Sequence, residues 1–413
     1  MAAENPTVNA VPATGRWLAV VGIGEDGLAG LGEEAKRAIS DASVVFGGER
    51  HLALAAPIIR GDARPWPSPF DASAVTGQRG KAVCVLASGD PFLHGVGATL
   101  ARTINAGEMR VFPGPSAFSL AAARLGWPLA EIETISLHGK PVDLIRPLLH
   151  PGRRVLALTS DAKGPEAIAR LLTGTGLGAS IVTVLEALGG PRERQRSMAA
   201  DRFSMAAIDA LNVVAVEAVA TADARILPLT PGLPDALFEH DGQITKRDVR
   251  ALTLAALAPR RGEHLVDIGA GSGSVSIEWM LADASLRATA IEADPERAAR
   301  IGRNAAACGV PGLAVVEGTA PAALDSLAAP DAIFVGGGLG DDGVADAAIT
   351  LLKPGGRLVA NAVTLESEAL LAALYARLGG NLIRVAISRA EPVGTMSGWR
   401  PAMPVTQWSW VKP

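Results

Sequence analysis

Asp267-Ile-Gly-Ala-Gly-Ser-Gly273 follows a run, His264 to Ile268, that reads as a strand, and it opens a helix. Glycines at such a junction allow a tight turn and let a ligand approach the backbone closely. The helix behind them presents amide groups with no partner inside the helix. Thr289-Ala-Ile-Glu292 then ends the next strand on an acid. A carboxylate there suits the two hydroxyls of a ribose, so the stretch points to an adenosine-containing cofactor. Dinucleotide-binding loops space their glycines GxGxxG and seat a pyrophosphate on the helix. Here the spacing is GxGxG, with the acid Asp267 two residues ahead.

Around this loop, strands are expected at His264–Ile268, Arg287–Ile291, Leu313–Val316, Asp331–Val335, Gly356–Ala360, Leu382–Ile387 and Thr406–Val411. Helices separate the early ones, and an irregular loop separates the last two. The expected sheet is mainly parallel and ends in an antiparallel pair. Upstream, Val249, Leu252, Thr253, Ala256 and Leu257 give one apolar helical face. Thr245 can cap that helix, with Asp248 completing a capping box. Residues 225–243 carry three prolines and two glycines and read as a linker or irregular lead-in. The expected division is 1–224, a linker at 225–243, and 244–413.

The first half alternates strands with Ala-rich helices. Strands are expected at Trp17–Val21, Ser43–Phe46, Ala82–Leu86, Arg154–Leu158, Ser180–Val184 and Asn212–Val216. Helices are expected at Gly30–Ser40 and near Gly97–Ala106. Both halves therefore read as α/β, the first with a doubly wound architecture and the second with the mainly parallel sheet described above. They share no motif and show no short repeat, which suggests two different domains fused.

Composition narrows the function classes. With 413 residues, 49% hydrophobic and 19% charged, the chain is long and apolar enough for two globular domains. A net charge of −4 argues against a globally basic nucleic-acid binder. Two cysteines, Cys84 and Cys308, and six histidines without an HxxxH pair support neither a disulfide framework nor a metal site. No run of about 18 apolar residues occurs, and Leu211–Val219 is broken by Asn212 and Glu217. Met1–Arg16 does not read as a leader. A soluble cytoplasmic protein without membrane or nucleic-acid partners is expected.

Two resemblances sharpen the reading. The second half, through Asp267, Gly269, Gly271, Gly273 and Glu292, resembles class I S-adenosylmethionine methyltransferases with a seven-stranded Rossmann-like fold. The first half opens with Gly22-Ile-Gly24-Glu-Asp-Gly27 after a strand, a literal GxGxxG. That alone is a weak dinucleotide signal. With Ser88-Gly89-Asp90-Pro91 and Pro113-Gly-Pro-Ser116-Ala117, it resembles the tetrapyrrole methylase family, a class III S-adenosylmethionine fold, over about residues 17 to 220. Ser136-Leu-His-Gly-Lys140 resembles a segment of its precorrin carbon-5 branch. Thr245-Lys-Arg-Asp-Val-Arg-Ala-Leu252 and Gly356-Arg-Leu-Val-Ala-Asn361-Ala-Val-Thr-Leu-Glu366 resemble the carbon-15 methylating, decarboxylating branch.

The resemblance implies a bifunctional enzyme of corrin biosynthesis with one S-adenosylmethionine per domain, two per chain. It would methylate carbons 5 and 15 of precorrin-6B and remove carbon dioxide from the ring C acetate, giving precorrin-8. Cofactor contacts are implied for Gly89, Asp90, Pro91, Ser116 and Ala117 in the first half. In the second half they are implied for Thr245, Asp267, Gly269, Gly271, Gly273, Glu292, Gly318 and Ala320. The opening loop, Gly22 and Gly24, would face the macrocycle, with His138 beside it.

Its carboxylates call for cations, and Arg247, Arg250, Arg389 and Arg400 are candidates. Arg192, Arg194 and Arg196 read as a solvated loop. Trp408 and Trp410 share one face of the last strand and read as core or subunit interface. Glu278 reads as a packing residue. No catalytic residue and no metal ligand stands out. Two other classes stay open: an NAD(P)-dependent oxidoreductase with two Rossmann-like domains, and a non-catalytic tetrapyrrole or S-adenosylmethionine binder. Self-association is expected, as methyltransferases of both types often form oligomers.

Overall fold

The computed structural model describes residues 15–413, so most of Met1–Arg16 lies outside the described residues. The chain forms two compact units. The first runs to Lys140 and resumes over Pro151–Ala222. The second comprises Pro141–His150 and Asp223–Pro413.

The first unit holds two five-stranded sheets. One contains β1 (Leu18–Ile23), β2 (Val44–Gly47), β3 (Asp62–Pro65), β4 (Val83–Ser88) and β5 (Met109–Phe112) in the order β3-β2-β4-β1-β5. All its pairs are parallel. The continuous apolar run of β1 is what a strand covered on both faces requires. The other sheet orders β6 (Glu133–Ser136), β7 (Arg154–Leu158), β8 (Ile181–Glu186), β9 (Arg194–Ala199) and β10 (Asn212–Glu217) as β6-β7-β10-β8-β9. Only its β6–β7 pair is parallel. Four of these ten strands were not expected. β3, β5 and β6 are four residues long, and β9 (Arg-Gln-Arg-Ser-Met-Ala) is too polar to read as a strand. The helix expected near Gly97–Ala106 is shorter, Val96–Leu100.

The second unit is built on β11 (His264–Ile268), β12 (Arg287–Glu292), β13 (Ala314–Glu317), β14 (Ala332–Val335), β15 (Arg357–Ala362), β16 (Asn381–Val385) and, last in the chain, β19 (Val405–Val411). Their order is β13-β12-β11-β14-β15-β19-β16, with β19 antiparallel to both neighbours. The stretch expected as an irregular loop is a two-stranded hairpin, β17 (Ser388–Val393) with β18 (Met396–Pro401). Its Val393, Met396 and Trp399 are exposed, so no buried face gave the stretch a hydrophobic period.

Residues 225–243 are irregular but packed. Leu227, Leu233 and Phe238 join a core with Leu254, Leu257 and Trp279. Trp408 and Trp410 are buried in a second core, stacked 6.0 Å apart. The helix Arg247–Leu257 has Lys246 at its N-cap with no side-chain cap, so the capping box does not form. By contrast, Asp294 caps the helix Pro295–Ala307, accepting from the Glu296 and Arg297 amides ahead of the turn set by Pro295. Pro141–His150 contributes a 3-10 segment, Val142–Leu148, that packs on that same helix.

Candidate functional site

Ligands of parallel α/β sheets bind beyond the carboxyl ends of the strands. Each unit has a cavity there.

In the second unit the cavity measures about 680 Å³. The glycine loop after β11, Glu292 at the end of β12, Gly318 to Ala320 after β13 and Gly336 to Gly338 after β14 line it. Gly269, Gly271 and Gly273 have φ of +68°, +60° and +74°, a region open to glycine at little cost. A Cβ on Gly269 would lie 2.8 Å from the Gly337 carbonyl oxygen, so this loop and the one after β14 touch. Glu292 braces the loop: its Oε2 accepts the Gly271 amide at 2.7 Å and its Oε1 the Asp294 amide at 3.1 Å.

Asp267 lies behind the wall, 1% exposed. Its Oδ2 accepts the Ser276 hydroxyl at 2.7 Å and the Ser276 amide at 3.3 Å, while Oδ1 has no partner. Burial pushes Asp267 up to about 6, against the Ser276 hydrogen bonds. The folded carboxyl therefore keeps a proton that the unfolded chain releases between about pH 4 and 6. The second unit loses stability as pH rises through that window. Asp267→Asn, neutral throughout, should exceed the parent chain in stability near pH 8 by about 1–3 kcal/mol and match it near pH 4. Urea unfolding at both pH values checks this, and an advantage that grows toward acid would contradict it.

The expected site residues separate cleanly. Thr245, Gly269, Gly271, Glu292, Gly318, Ala320 and Arg389 line the cavity. Asp267 and Gly273 support the loop from behind; a Cβ on Gly273 would meet Ile301. Arg250 is corrected: it is fully buried, its guanidinium bound to Glu278 and Asp235, and it is closed to a substrate carboxylate. Arg389 is paired with Asp248. Arg400 pairs with Glu391 across the hairpin and, like Arg247, is not a lining residue. Lys246, Arg297, Asp341 and Asn361 also line the cavity and were not singled out in the sequence.

In the first unit the cavity is about 860 Å³. Gly24, Gly89, Asp90, Ser116, Ala117 and His138 line it as expected, and Pro91 does not. Gly22 is a packing point instead: Gly89 and Gly114 press against it. Asp90 caps a turn by accepting the Phe92 amide at 2.8 Å. Ser116 caps the helix Ala117–Leu125. A cluster missed in the sequence also faces this space. Arg50 pairs with Glu25 and donates to Ser88 Oγ at 2.9 Å, and His51 Nε2 lies 2.8 Å from the same hydroxyl. Burial, aided by Arg50, pushes His51 down to about 4, so its ring is neutral.

Arg194 and Arg196, expected to be solvated, clasp the buried Glu186. Arg192 pairs with Asp209 and reaches Glu25.

The second cavity fits the cofactor that the resemblance implies. It offers an acid at a strand end for ribose hydroxyls and glycine backbone for close approach, while Asp267, which does not line it, keeps an unpartnered Oδ1 behind the loop. The first unit is not a dinucleotide fold. In dinucleotide-binding sheets the first strand lies beside the second, whereas β1 lies between β4 and β5. Its glycine loop also leads into a 3-10 turn, Gly27–Gly30, and not directly into a helix.

Comparison with known proteins agrees. Residues 18–230 match the model of the Tetrapyrrole (Corrin/Porphyrin) Methylases, and residues 236–412 match a precorrin methyltransferase domain. The chain is 63% identical over 398 residues to a precorrin-6Y C(5,15)-methyltransferase (decarboxylating) of Sinorhizobium sp, covering 96% of each. It is 36% identical over 181 residues to a cobalt-precorrin-6B C(15)-methyltransferase (decarboxylating) of Salmonella typhimurium, spanning 42% of this chain and 92% of that one. It is 33% identical over 180 residues to a cobalt-precorrin-7 C(5)-methyltransferase of the same organism, spanning 43% of this chain and 88% of that one. These matches exclude the oxidoreductase reading.

Proposed function

The chain belongs to the precorrin-6Y C(5,15)-methyltransferase (decarboxylating) family, and from that premise we propose that each of its two units holds one S-adenosylmethionine and works on one side of the corrin precursor. The first unit methylates carbon 5. The second methylates carbon 15 and removes carbon dioxide from the ring C acetate. The observation that carries this division is the presence of two separate cavities at strand ends, one in each unit, each lined by the glycine loops of its own sheet. The two half-length relatives, named for one carbon each, support it.

Bound S-adenosylmethionine supplies a methyl group that is already electrophilic. The chain's own task is then to orient a conjugated macrocycle and keep water out. In the second unit the glycine loop admits the cofactor to the backbone, and Glu292 receives ribose hydroxyls while keeping the loop in place. In the first unit Gly24, Gly89, Ser116 and Ala117 shape the cavity, and neutral His51 with Ser88 offers hydroxyl and imidazole groups to the ligand. Exposed Lys140 and Arg102 at the first cavity and exposed Lys246 at the second are suited to macrocycle carboxylates. We place the enzyme in the cytoplasm as a self-associating protein that binds neither nucleic acid nor membrane.

Calorimetric titration of the full chain with S-adenosylhomocysteine should find two sites. Incubation of a precorrin-6-type substrate with S-adenosylmethionine should add two methyl groups and remove one carbon dioxide by mass. One cofactor site, or a product lacking either change, overturns the reading. Sedimentation as a monomer overturns self-association.

A further inference from the structure

Thr253, on the helix Arg247–Leu257, is fully buried and donates its hydroxyl proton to the Val249 carbonyl at 2.9 Å. With that proton committed, the hydroxyl can only accept from other groups. It takes one N–H from Asn361 at 3.0 Å and one from Gln407 at 3.0 Å. The second N–H of Gln407 goes to Asn361 Oδ1 at 2.9 Å. Asn361 and Gln407 stand directly opposite each other on β15 and β19. Turning the Asn361 amide over would set its oxygen against the committed Thr253 oxygen and its nitrogen against the Gln407 nitrogen. The orientation is therefore determined, and one Asn361 N–H is left over. Asn361 lines the cavity of the second unit.

The sheet around this donor is apolar. The next row toward the cavity is Val363, Val405 and Val385, with Val405 opposite Val385 in register. All three line the cavity. The cavity's charged groups lie on other segments: Glu292 at the end of β12, Asp341 after β14, Arg297 on its helix, Arg389 in its pair with Asp248, and Lys246 at the N-cap of the helix that carries Thr253, seven residues before it. A carboxylate that is to leave as carbon dioxide loses its charge in the transition state. A cation would stabilise it most before reaction and raise the barrier; a single neutral donor in apolar surroundings orients it without that penalty.

We propose that the free N–H of Asn361 positions the substrate carboxylate that departs as carbon dioxide, an assignment that rests on the second unit being the decarboxylating one. The bond between the carboxylate carbon and the acetate methylene carbon breaks. Its electron pair passes into the conjugated macrocycle, carbon dioxide leaves, and the methylene carbon takes up a proton from solvent to become a methyl group. Thr253 and Gln407 are positioning residues, acting through Asn361.

The test uses the full chain, a precorrin-6-type substrate and S-adenosylmethionine, and reads carbon dioxide release. Asn361→Leu should slow release about 100-fold, the loss expected when a reacting group is left about an ångström out of place. S-adenosylhomocysteine affinity at the second site should stay within about twofold, as expected of a residue that does not hold the cofactor. Asn361→Asp should be equally slow near pH 8 and regain about tenfold near pH 5, where the protonated carboxyl again offers a donor. Asn361→Leu should show no such recovery, which a purely structural role cannot produce. Release by Asn361→Leu within about threefold of the parent, or the same pH profile for both variants, overturns the proposal. If the parent chain itself releases no carbon dioxide, the decarboxylase reading falls and takes the proposal with it.

Discussion

Glu278→Ala should lower the unfolding free energy of the second unit by about 3–5 kcal/mol, the cost of taking from a buried charge its buried partner and leaving it only the partly exposed Asp235. Arg250 is 0% exposed. Its Nε donates to Glu278 Oε1 at 2.5 Å and its Nη1 to Asp235 Oδ1 at 3.0 Å. Further N–H groups reach the carbonyls of Leu233 and Thr245, and the guanidinium lies 4.9 Å from the Phe238 ring. Glu278 also accepts the amides of Gly232 and Leu233 at 2.6 and 2.9 Å. One ion pair thus ties the helix Arg247–Leu257, the helix Ser274–Leu281 and the irregular 232–238 segment together. Alanine removes the acceptor for a buried guanidinium and for two buried amides at once. The double variant Arg250→Met with Glu278→Leu should be less damaged than the sum of the singles, because it removes the unpaired charge as well. Urea unfolding of all four chains gives the cycle. A single-variant loss below about 1 kcal/mol would place the pair among surface-like bridges and refute this account.

Gly22→Ala should weaken the proposed cofactor binding in the first unit about 100-fold and leave that in the second unchanged. Gly22 sits near the end of β1, paired with Ala87 of β4. A Cβ there would collide with the Gly89 carbonyl oxygen and fall 2.8 Å from the Gly114 amide nitrogen. Those two loops are themselves joined, since the Gly114 amide donates to the Gly89 carbonyl at 3.1 Å. The loops after β1, β4 and β5 therefore meet at a point with room only for hydrogen. One methyl must separate backbone segments, which cannot rotate away as a side chain can. Overpacking of this kind costs about 3 kcal/mol, equivalent to roughly a 100-fold loss of affinity if it falls on the loops that shape the site. Calorimetry with S-adenosylhomocysteine should show one site of parental affinity and one weakened about 100-fold. Two sites of unchanged affinity would show that the three loops can part without consequence.

Much of the candidate site was legible because glycine, proline and strand-end acids act locally. The GxGxG run at 269–273 and the acid at Glu292 are read from neighbours in sequence, and both stand at the second cavity. Gly89, Ser116 and Ala117 stand at the first for the same reason. Arg250 misled because a lone arginine on a helix looks like a free cation; its counter-charge, Glu278, lies 28 residues away. Asn361 was quoted within a resembling stretch but given no role, because an asparagine at a strand end has no local signature. Its meaning comes from Thr253, 108 residues earlier, and Gln407, 46 residues later.

The α/β class of both halves, the strands long enough to show an apolar run, the glycine loops and the two family resemblances were all readable along the chain. These depend on backbone preferences and on periodicity within a few residues. Folding in three dimensions set which charges are spent inside the fold, that the 225–243 segment is packed core, that 141–150 belongs to the second unit, and that 388–401 is a hairpin. It alone also decided which way the Asn361 amide points. Each of these is set by partners far apart in the chain, and a hydrogen bond or ion pair acquires its direction and its worth only once folding has brought both groups together and excluded water from them.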